Sequence, residues 1–278
     1  MSATVPLRHL GAAWIQITGT WCNLECVHCL NASGPRDPWL APMDAADVER
    51  HVEAAARLGA REVYFTGGEP FLHPRIMPLI AHALDRLPAT VLTNGTLITE
   101  AVADELGALA ARSRYSLEIR VSLDDPDREA NDRVRGRGAF DRALRAIVRL
   151  DRRGLPAILT ATEIGASGGL YDRLRRLLLD AGITRPRIKL LPVFPVGRVG
   201  TIGTPPEEDD LEGFDRARLS CADSRAVTAE GVYACPILAG LPAARMSGPG
   251  LADALGPVTL AHAACRVCVE TGASCRNS

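Results

Sequence analysis

Short runs of β-branched and apolar residues alternate six times with longer amphipathic helical patterns over most of the chain. Each strand-then-helix unit returns the chain to the same edge of a sheet, so consecutive strands run parallel. A complete eight-stranded barrel typically needs about 250 residues, more than the alternating region provides. The sequence therefore predicts an α/β fold, a partial (β/α)6 TIM-like barrel. The predicted strands are Trp14–Thr18, Glu62–Thr66, Thr90–Thr93, Leu117–Leu123, Ala157–Thr162 and Ile188–Pro192.

The eight cysteines fall into two groups that are separated by a cysteine-free body. Three lie within residues 22–29 and five lie within residues 221–275. No basic-then-apolar export signal occurs at the N-terminus, and a cytosolic chain keeps its thiols reduced. The pattern therefore predicts two thiol sites rather than a disulfide framework.

The first group has the spacing Cys22-x3-Cys26-x2-Cys29. Thiolates so close in sequence can bind one metal centre from a single loop. Three ligands to a four-iron cluster leave one iron without a protein ligand, and that iron can bind a small molecule directly. The alternative is a zinc site, although zinc loops more often use paired two-residue spacings.

The cysteine loop directly follows the first predicted strand, and in this position it resembles the defining loop of the radical S-adenosylmethionine (SAM) enzymes. The resemblance extends over residues 12–198. It implies a [4Fe–4S] cluster held by Cys22, Cys26 and Cys29, with SAM as cosubstrate. It also implies reductive cleavage of SAM to a 5′-deoxyadenosyl radical, which takes a hydrogen atom from the substrate. His28 stands where that family usually has an aromatic residue.

Further motifs at predicted strand ends resemble the SAM-binding positions of the family. The string Gly67-Gly68-Glu69-Pro70 follows the second strand, and the resemblance implies that it receives the methionine amino group. Glycines there allow the backbone to approach a ligand closely. The resemblance also assigns Asn94, Ser122 and Asp124 to hydrogen bonds with the ribose or the methionine carboxylate, although Asn and Asp are frequent in ordinary turns as well. The segment Leu191–Arg198 resembles the one that lines the adenine.

The C-terminal cysteines resemble those of the auxiliary-cluster extension called SPASM, or of its shorter twitch form. A full SPASM domain holds two clusters with more cysteines than are present here. The resemblance therefore implies one auxiliary [4Fe–4S] cluster, held by Cys221, Cys235, Cys265 and Cys268. A structural zinc site is the alternative, since four thiolates serve it equally well. Cys275 is then a bystander, an alternative ligand or a hydrogen-atom donor to a product radical.

In size and cysteine pattern the chain resembles the aminocyclitol dehydrogenases and sugar epimerases of aminoglycoside antibiotic biosynthesis. The resemblance implies oxidation of a secondary alcohol on an aminocyclitol or carbohydrate, with a flavodoxin or ferredoxin as reductant. Because only about ten residues precede the first predicted strand, a small-molecule substrate is expected rather than a peptide. Three alternatives remain: radical epimerisation with a cysteine donor, peptide modification by a SPASM-type (RiPP) maturase, and a zinc-binding module. Glu163 and Arg198 are candidates for the substrate base by position.

Composition divides the chain into a core over 1–198, a linker over 199–215 that holds two consecutive prolines, and a small cysteine-rich C-terminal domain over 216–278. The net charge is −1, so no attraction to nucleic acid or to an anionic membrane is expected. No apolar run reaches the roughly 20 residues that span a bilayer. We therefore expect a cytoplasmic protein.

Overall fold

The computed structural model describes residues 2–36, 38–165, 168–273 and 275. The strands within them are β1 (Thr4–Val5), β2 (Ala12–Gln16), β3 (Glu62–Thr66), β4 (Ala89–Thr93), β5 (Leu117–Ser122), β6 (Ile158–Glu163), β7 (Arg187–Pro192), β8 (Ser224–Thr228), β9 (Gly231–Tyr233) and β10 (Val258–Thr259). The α-helices are α1 (Ala45–Arg57), α2 (Ile76–Leu84), α3 (Glu100–Arg112), α4 (Arg128–Arg135), α5 (Ala139–Asp151), α6 (Leu170–Asp180) and α7 (Ala263–Thr271).

The main sheet has the strand order β7-β6-β5-β4-β3-β2-β8-β9. Strands β2 to β7 are neighbours in chain order and all pair in parallel. The α/β fold with a parallel sheet is therefore confirmed, and it is consistent with a partial barrel. The observed strand ends lie within two residues of the predicted ones; they are not exact throughout because the pattern of side chains does not show where pairing stops.

Strand β5 shows how one strand faces two environments. Leu117, Ile119 and Val121 are buried in the main apolar core, which the helices cover. Because successive residues on a strand point to opposite faces, Arg120 and Ser122 point into the barrel, where they line a cavity. The carboxyl ends of the parallel strands thus carry polar groups on the inside of an otherwise apolar sheet.

Helix α4 was not predicted from the sequence. It begins after Asp127, whose side chain accepts a hydrogen bond from the amide of Ala130 at 2.7 Å. Its buried residues are Asn131 and Arg135. A helix that buries polar residues shows no hydrophobic periodicity, which is the signal on which the prediction depended.

The C-terminal part of the chain continues the main sheet. Strand β8 pairs in parallel with β2, and β9 returns antiparallel to β8 just before Cys235. The N-terminal strand β1 pairs with β10, which brings the first described residues next to the C-terminal part of the chain. The domain division at residues 198 and 216 stays a prediction. In the described part of the chain, no helix is both long and apolar enough to cross a membrane.

Candidate active site

The predicted motifs meet at the carboxyl ends of the parallel strands, as expected for such sheets. A cavity of about 220 Å³ opens there. It is lined by the three cysteines of the first group and by the ends of strands β3 to β7. The predicted site residues among its lining are Cys22, Cys26, Cys29, Gly67, Gly68, Asn94 and Ser122, and Phe194 from the predicted adenine segment joins them.

The sulfur atoms of the first cysteine group lie in a hydrogen-bonding environment that suits cluster ligands. The amide of Leu24 donates to Cys22 Sγ at 3.4 Å, and the amide of Ser33 donates to Cys29 Sγ at 3.3 Å. Asn94 Nδ2 also donates to Cys22 Sγ, at 3.7 Å. Such bonds stabilise thiolates and tune the potential of iron–sulfur clusters. Without a metal, burial raises the pKa of Cys22 to about 12, so binding of iron would displace a proton.

Gly68 is required by the cysteine loop itself. A Cβ atom at this position would lie 2.0 Å from the carbonyl oxygen of Trp21 and 2.8 Å from the amide nitrogen of Cys22. The amide of Glu69 donates to the same Trp21 oxygen at 3.0 Å. The glycine motif therefore packs directly against the loop that presents the first cysteine, in addition to lining the cavity.

Glu69 is fully buried and connects the glycine motif to the next strand end. Its carboxylate accepts hydrogen bonds from the Thr93 hydroxyl and from the amide of Asn94, both at 2.7 Å, and from the amide of Phe71. Burial raises its pKa to about 7, against the lowering effect of these donors. Glu69 does not line the cavity. Instead, it positions Asn94 by accepting the hydrogen bond from the Asn94 amide.

Asp124 lies beside the cavity and is already bound on several sides. His28 Nε2 is 2.7 Å from Asp124 Oδ2, Arg135 Nη2 donates to Asp124 Oδ1 at 3.0 Å, and the amide of Thr162 donates to Oδ1 at 2.8 Å. Burial opposes ionisation, but the positive charge of Arg135 and the His28 bond hold the pKa of this carboxyl well below its usual range. Sequence reasoning singled out Asp124 and His28 separately and missed Arg135, which lines the cavity.

Arg198 holds the cysteine loop in place from the opposite side. Its guanidinium donates to the carbonyl oxygens of Cys26 at 2.9 Å and Ser33 at 2.7 Å, and its amide donates to that of Cys29 at 3.1 Å. The adjacent Gly197 has a φ of +65°, and a Cβ there would lie 2.2 Å from the Cys29 carbonyl oxygen. Arg198 is predicted as a candidate base and as the last residue of the adenine-lining segment, and its bonds give it a structural role on the loop.

Glu163, the other candidate base, is exposed at the end of β6 and does not line this cavity. It lines a separate cavity of about 200 Å³, together with Asp125, Arg133 and Ile164. Thr162 lines both cavities. The two candidate bases are therefore not brought together.

The C-terminal cysteines form a second group within the fold. A small cavity of about 30 Å³ is lined by Cys221, Cys235, Cys265 and Cys268, with Leu219, Ile237 and other apolar residues around them. Cys265 and Cys268 lie one turn apart on α7, Cys221 lies in the short turn before β8, and Cys235 follows β9. Burial raises the pKa of each of these four thiols.

Cys275 belongs to this second group and does not line the main cavity. It is buried, and its thiol interacts electrostatically with those of Cys221, Cys235 and Cys268. Its amide donates to the Ser220 hydroxyl at 3.1 Å. In the described residues, no three His, Cys, Asp or Glu side chains converge closely enough to hold a single metal ion.

Arg225 is a fully buried cation next to the second group. Its guanidinium donates to the main-chain carbonyl oxygens of Cys221, Ser224, Ala254 and Gly256 at 2.6–2.8 Å. Its positive charge acts on Cys221 and Cys235. Thiolates or a cluster at this position would compensate that charge.

Residues 17–181, more than half of the chain, match the family model described as the Radical SAM superfamily. The chain belongs to the radical SAM superfamily. Membership implies a [4Fe–4S] cluster and SAM, and the residues fit this pair: three cysteines with amide donors to two sulfurs line one side of a cavity, and glycines line another. The resemblance inferred from the cysteine loop is thereby confirmed at the level of the superfamily.

Curated relatives in this superfamily match about half of the chain. It is 38% identical over 135 residues to the mycofactocin maturase MftC of Mycolicibacterium smegmatis, covering 48% of this chain and 32% of MftC. It is 30% identical over 152 residues to the AdoMet-dependent heme synthase of Methanosarcina barkeri, covering 54% of this chain and 41% of the synthase. The matched segment therefore spans less than half the length of these relatives.

Two solved structures share the fold. SuiB of Streptococcus suis, bound to the precursor peptide SuiA, has a TM-score of 0.70 and 18% identity over 90% of this chain and 65% of SuiB. The enzyme anSMEcpe, with bound AdoMet and the Cp18Cys peptide, has a TM-score of 0.62 and 16% identity over 85% of this chain and 76% of that chain.

The expected preference for a small-molecule substrate over a peptide is wrong. SuiB and anSMEcpe were both solved with peptides, and MftC is a maturase. The expectation rested on the short segment before the first strand, but the groups that line the cavity decide what enters it. A similarity to aminocyclitol dehydrogenases or sugar epimerases is not shown by these relatives either.

Proposed function

We propose that this chain is a radical SAM maturase that abstracts a hydrogen atom from a peptide substrate. The observation that carries the proposal is the convergence of Cys22, Cys26 and Cys29 with Gly67 and Asn94 on one cavity. The 38% identity to a maturase and the peptides seen in two structures of the same fold support the substrate class.

The residues at the barrel mouth, the carboxyl ends of the parallel strands around the main cavity, would have different binding roles. Cys22, Cys26 and Cys29 would hold the cluster, while Gly68 and Arg198 keep their loop in place. When bound, the cluster and SAM supply the 5′-deoxyadenosyl radical. Other cavity-lining groups would bind SAM around the cluster: Gly67, Asn94 and Ser122.

We further propose that the C-terminal group holds one auxiliary [4Fe–4S] cluster. Five thiols, Arg225 and an apolar lining support a buried anionic metal centre there. Cys221, Cys235, Cys265 and Cys268 line the cavity together, which favours them as ligands. Cys275 contacts this group rather than the main cavity, which favours a role as alternative ligand over hydrogen-atom donation to a substrate there.

Anaerobic reconstitution of the full chain with iron and sulfide tests both parts. We expect about eight irons per chain, since each four-iron cluster contributes four, and release of 5′-deoxyadenosine from SAM under dithionite. About four irons per chain with intact SAM cleavage would contradict the proposal of an auxiliary cluster. A preparation that binds only zinc would contradict the proposed function as a whole.

The substrate class needs its own measurement. Short peptides encoded beside this gene should be incubated with the reconstituted enzyme, SAM and dithionite, and their masses followed. We expect a mass change that requires SAM and deuterium transfer from a deuterated peptide to 5′-deoxyadenosine. Turnover of carbohydrates or aminocyclitols, with no peptide modified, would overturn the substrate assignment.

A further inference from the structure

Arg120 is a buried arginine on the inner face of the barrel. It lies on β5 two residues before Ser122, and both side chains line the cavity that holds the first cysteine group. Only 1% of its surface is exposed. Its Nε donates to the Thr160 hydroxyl at 3.2 Å, and its Nη1 donates to the carbonyl oxygen of Cys275 at 2.6 Å.

Both of these partners are neutral. Among the described residues, no carboxylate forms an ion pair with Arg120. Glu118 and Glu62 act on it only through space, and they bond elsewhere, to Arg187 and to the Tyr64 hydroxyl. Burial consequently lowers the pKa of this guanidinium from its ordinary value. A buried cation without an anionic partner is unfavourable, so the site is suited to an anion that arrives from outside.

The second arginine in the cavity shows the contrast. Arg135 has its counter-charge inside the protein, because Asp124 accepts from Nη2 at 3.0 Å and lies 2.7 Å from Nε. A ligand gains little by bringing a further negative charge to that pair. Arg120 is therefore the cavity cation that an anionic ligand would neutralise.

We propose that Arg120 is a carboxylate-binding subsite that orients the substrate in the cavity. The guanidinium is fixed by Thr160 on β6 and by the main chain at Cys275, so it is oriented before a ligand arrives. Its planar group matches the two oxygens of a carboxylate. The inference rests on the proposed function, because it takes the substrate to be a peptide, and it narrows that class to peptides that place a carboxylate in the cavity.

The Cys275 contact gives the subsite a second consequence. The carbonyl of Cys275 binds Arg120, while the Cys275 thiol lies among the C-terminal cysteines. Cys275 would therefore connect a carboxylate bound at Arg120 to the second thiol group. The substrate would be held between the two cysteine sites of the chain.

Peptide probes that differ by one charge test the subsite on the reconstituted chain with SAM bound. Acetyl-Ala-Ala is compared with its C-terminal amide, and acetyl-Asp amide is compared with acetyl-Asn amide, by calorimetry. We expect one carboxylate probe to bind about tenfold more tightly than its neutral partner, as for a hydrogen bond to a charged group. Whichever pair shows the preference identifies a terminal or a side-chain carboxylate.

Substitutions then test whether Arg120 is responsible for the preference for the carboxylate probe. We expect Arg120→Gln to abolish it and Arg120→Lys, which keeps the charge but not the planar fork, to retain part of it. Arg149→Gln makes the same chemical change in an outer ion pair with Glu100 and should leave the preference intact. Circular dichroism and iron content check that each variant folds and carries its clusters.

Three results would overturn the inference. One is a carboxylate preference that survives in Arg120→Gln, and another is the absence of that preference from the wild-type chain. The third is a tenfold loss of SAM affinity in Arg120→Gln with the preference unchanged, which would show that Arg120 binds the carboxylate of SAM instead. Failure of the proposed function would be visible separately, as a wild-type chain that releases no 5′-deoxyadenosine.

Discussion

The two cysteine sites of this chain are built differently. The barrel-mouth site, formed by Cys22, Cys26 and Cys29, opens on a cavity of about 220 Å³ with polar side chains from the ends of four strands. The C-terminal site, formed by Cys221, Cys235, Cys265, Cys268 and Cys275, surrounds only about 30 Å³ and has an almost entirely apolar lining.

Arg135 and Arg225, the buried arginines beside Cys26 and Cys221, have different partners. At the barrel mouth, Arg135 is neutralised by Asp124 within the protein. At the C-terminal site, Arg225 is bound only to main-chain carbonyl oxygens, according to its hydrogen bonds in the described residues. Sites that react with ligands keep an open position, whereas closed sites hold or stabilise. This contrast supports the proposal of ligand binding at the first site and of a closed, anionic centre at the second.

Removal of one thiol from each site produces the largest expected difference. We expect Cys26→Ser to lose about four irons and all detectable SAM cleavage, since an incomplete ligand set cannot hold the open cluster. We expect Cys235→Ser to lose iron while 5′-deoxyadenosine is still released. Iron analysis and chromatography of the nucleoside products measure both. The division of roles would fail if both variants lost SAM cleavage alike.

Asp124→Asn tests the internal charge balance of the barrel mouth. The substitution leaves Arg135 buried without its counter-charge, which typically costs about 3–5 kcal/mol. Urea unfolding of the chain without metal measures the loss. Because the pKa of Asp124 is lowered in the fold, its contribution is present at neutral pH and is lost as the pH falls below its ordinary value of 3.8. Glu100→Gln, on the exposed Arg149 pair, is the control and should change the urea midpoint little.

Glu69 predicts a pH dependence of opposite sign. Its pKa rises from 4.5 to about 7 in the fold, so the folded protein favours the neutral acid. That stabilisation is complete below pH 4.5 and is lost as the pH rises through 7. We expect the free energy of unfolding to fall by at most about 3 kcal/mol over this window, and Glu69→Gln to flatten the curve. An unchanged slope in the variant would assign the pH dependence to other groups.

Gly68→Ala gives the smallest expected effect and acts only on the barrel mouth. The added Cβ would push the Trp21 carbonyl away, and such overpacking typically costs about 1–3 kcal/mol. Iron content should fall at the first site, with lower SAM cleavage, while the C-terminal site keeps its iron. Gly256→Ala is the matched control, since a Cβ there meets no atom within 4 Å. Equal losses of iron and of SAM cleavage in the two variants would contradict the expected clash between the added Cβ of residue 68 and the Trp21 carbonyl.

Much of the barrel mouth could be predicted because its signals are local. The strand pattern placed Gly67, Asn94 and Ser122 at strand ends, and parallel strands bring their carboxyl ends to one edge. The α/β sheet followed from the alternation of strand and helix patterns, and the superfamily followed from the resemblance of the cysteine loop to its defining motif. The prediction of a small-molecule substrate failed because it was based on the short segment before the first strand, which does not line the cavity.

The sequence by itself determined the order of the strands and which residues reach the edge of the sheet, since both depend on short-range periodicity. Only the tertiary structure decided which of these groups are already bound and which are available. Arg198 and Cys26 are 172 positions apart, and Arg120 and Cys275 are 155 apart. Asp124 is paired with Arg135 from the unpredicted helix α4, whereas within the described residues Arg120 bonds only to neutral groups. Such pairings join segments that are distant in the sequence. They therefore cannot be predicted from the spacing of residues along the chain.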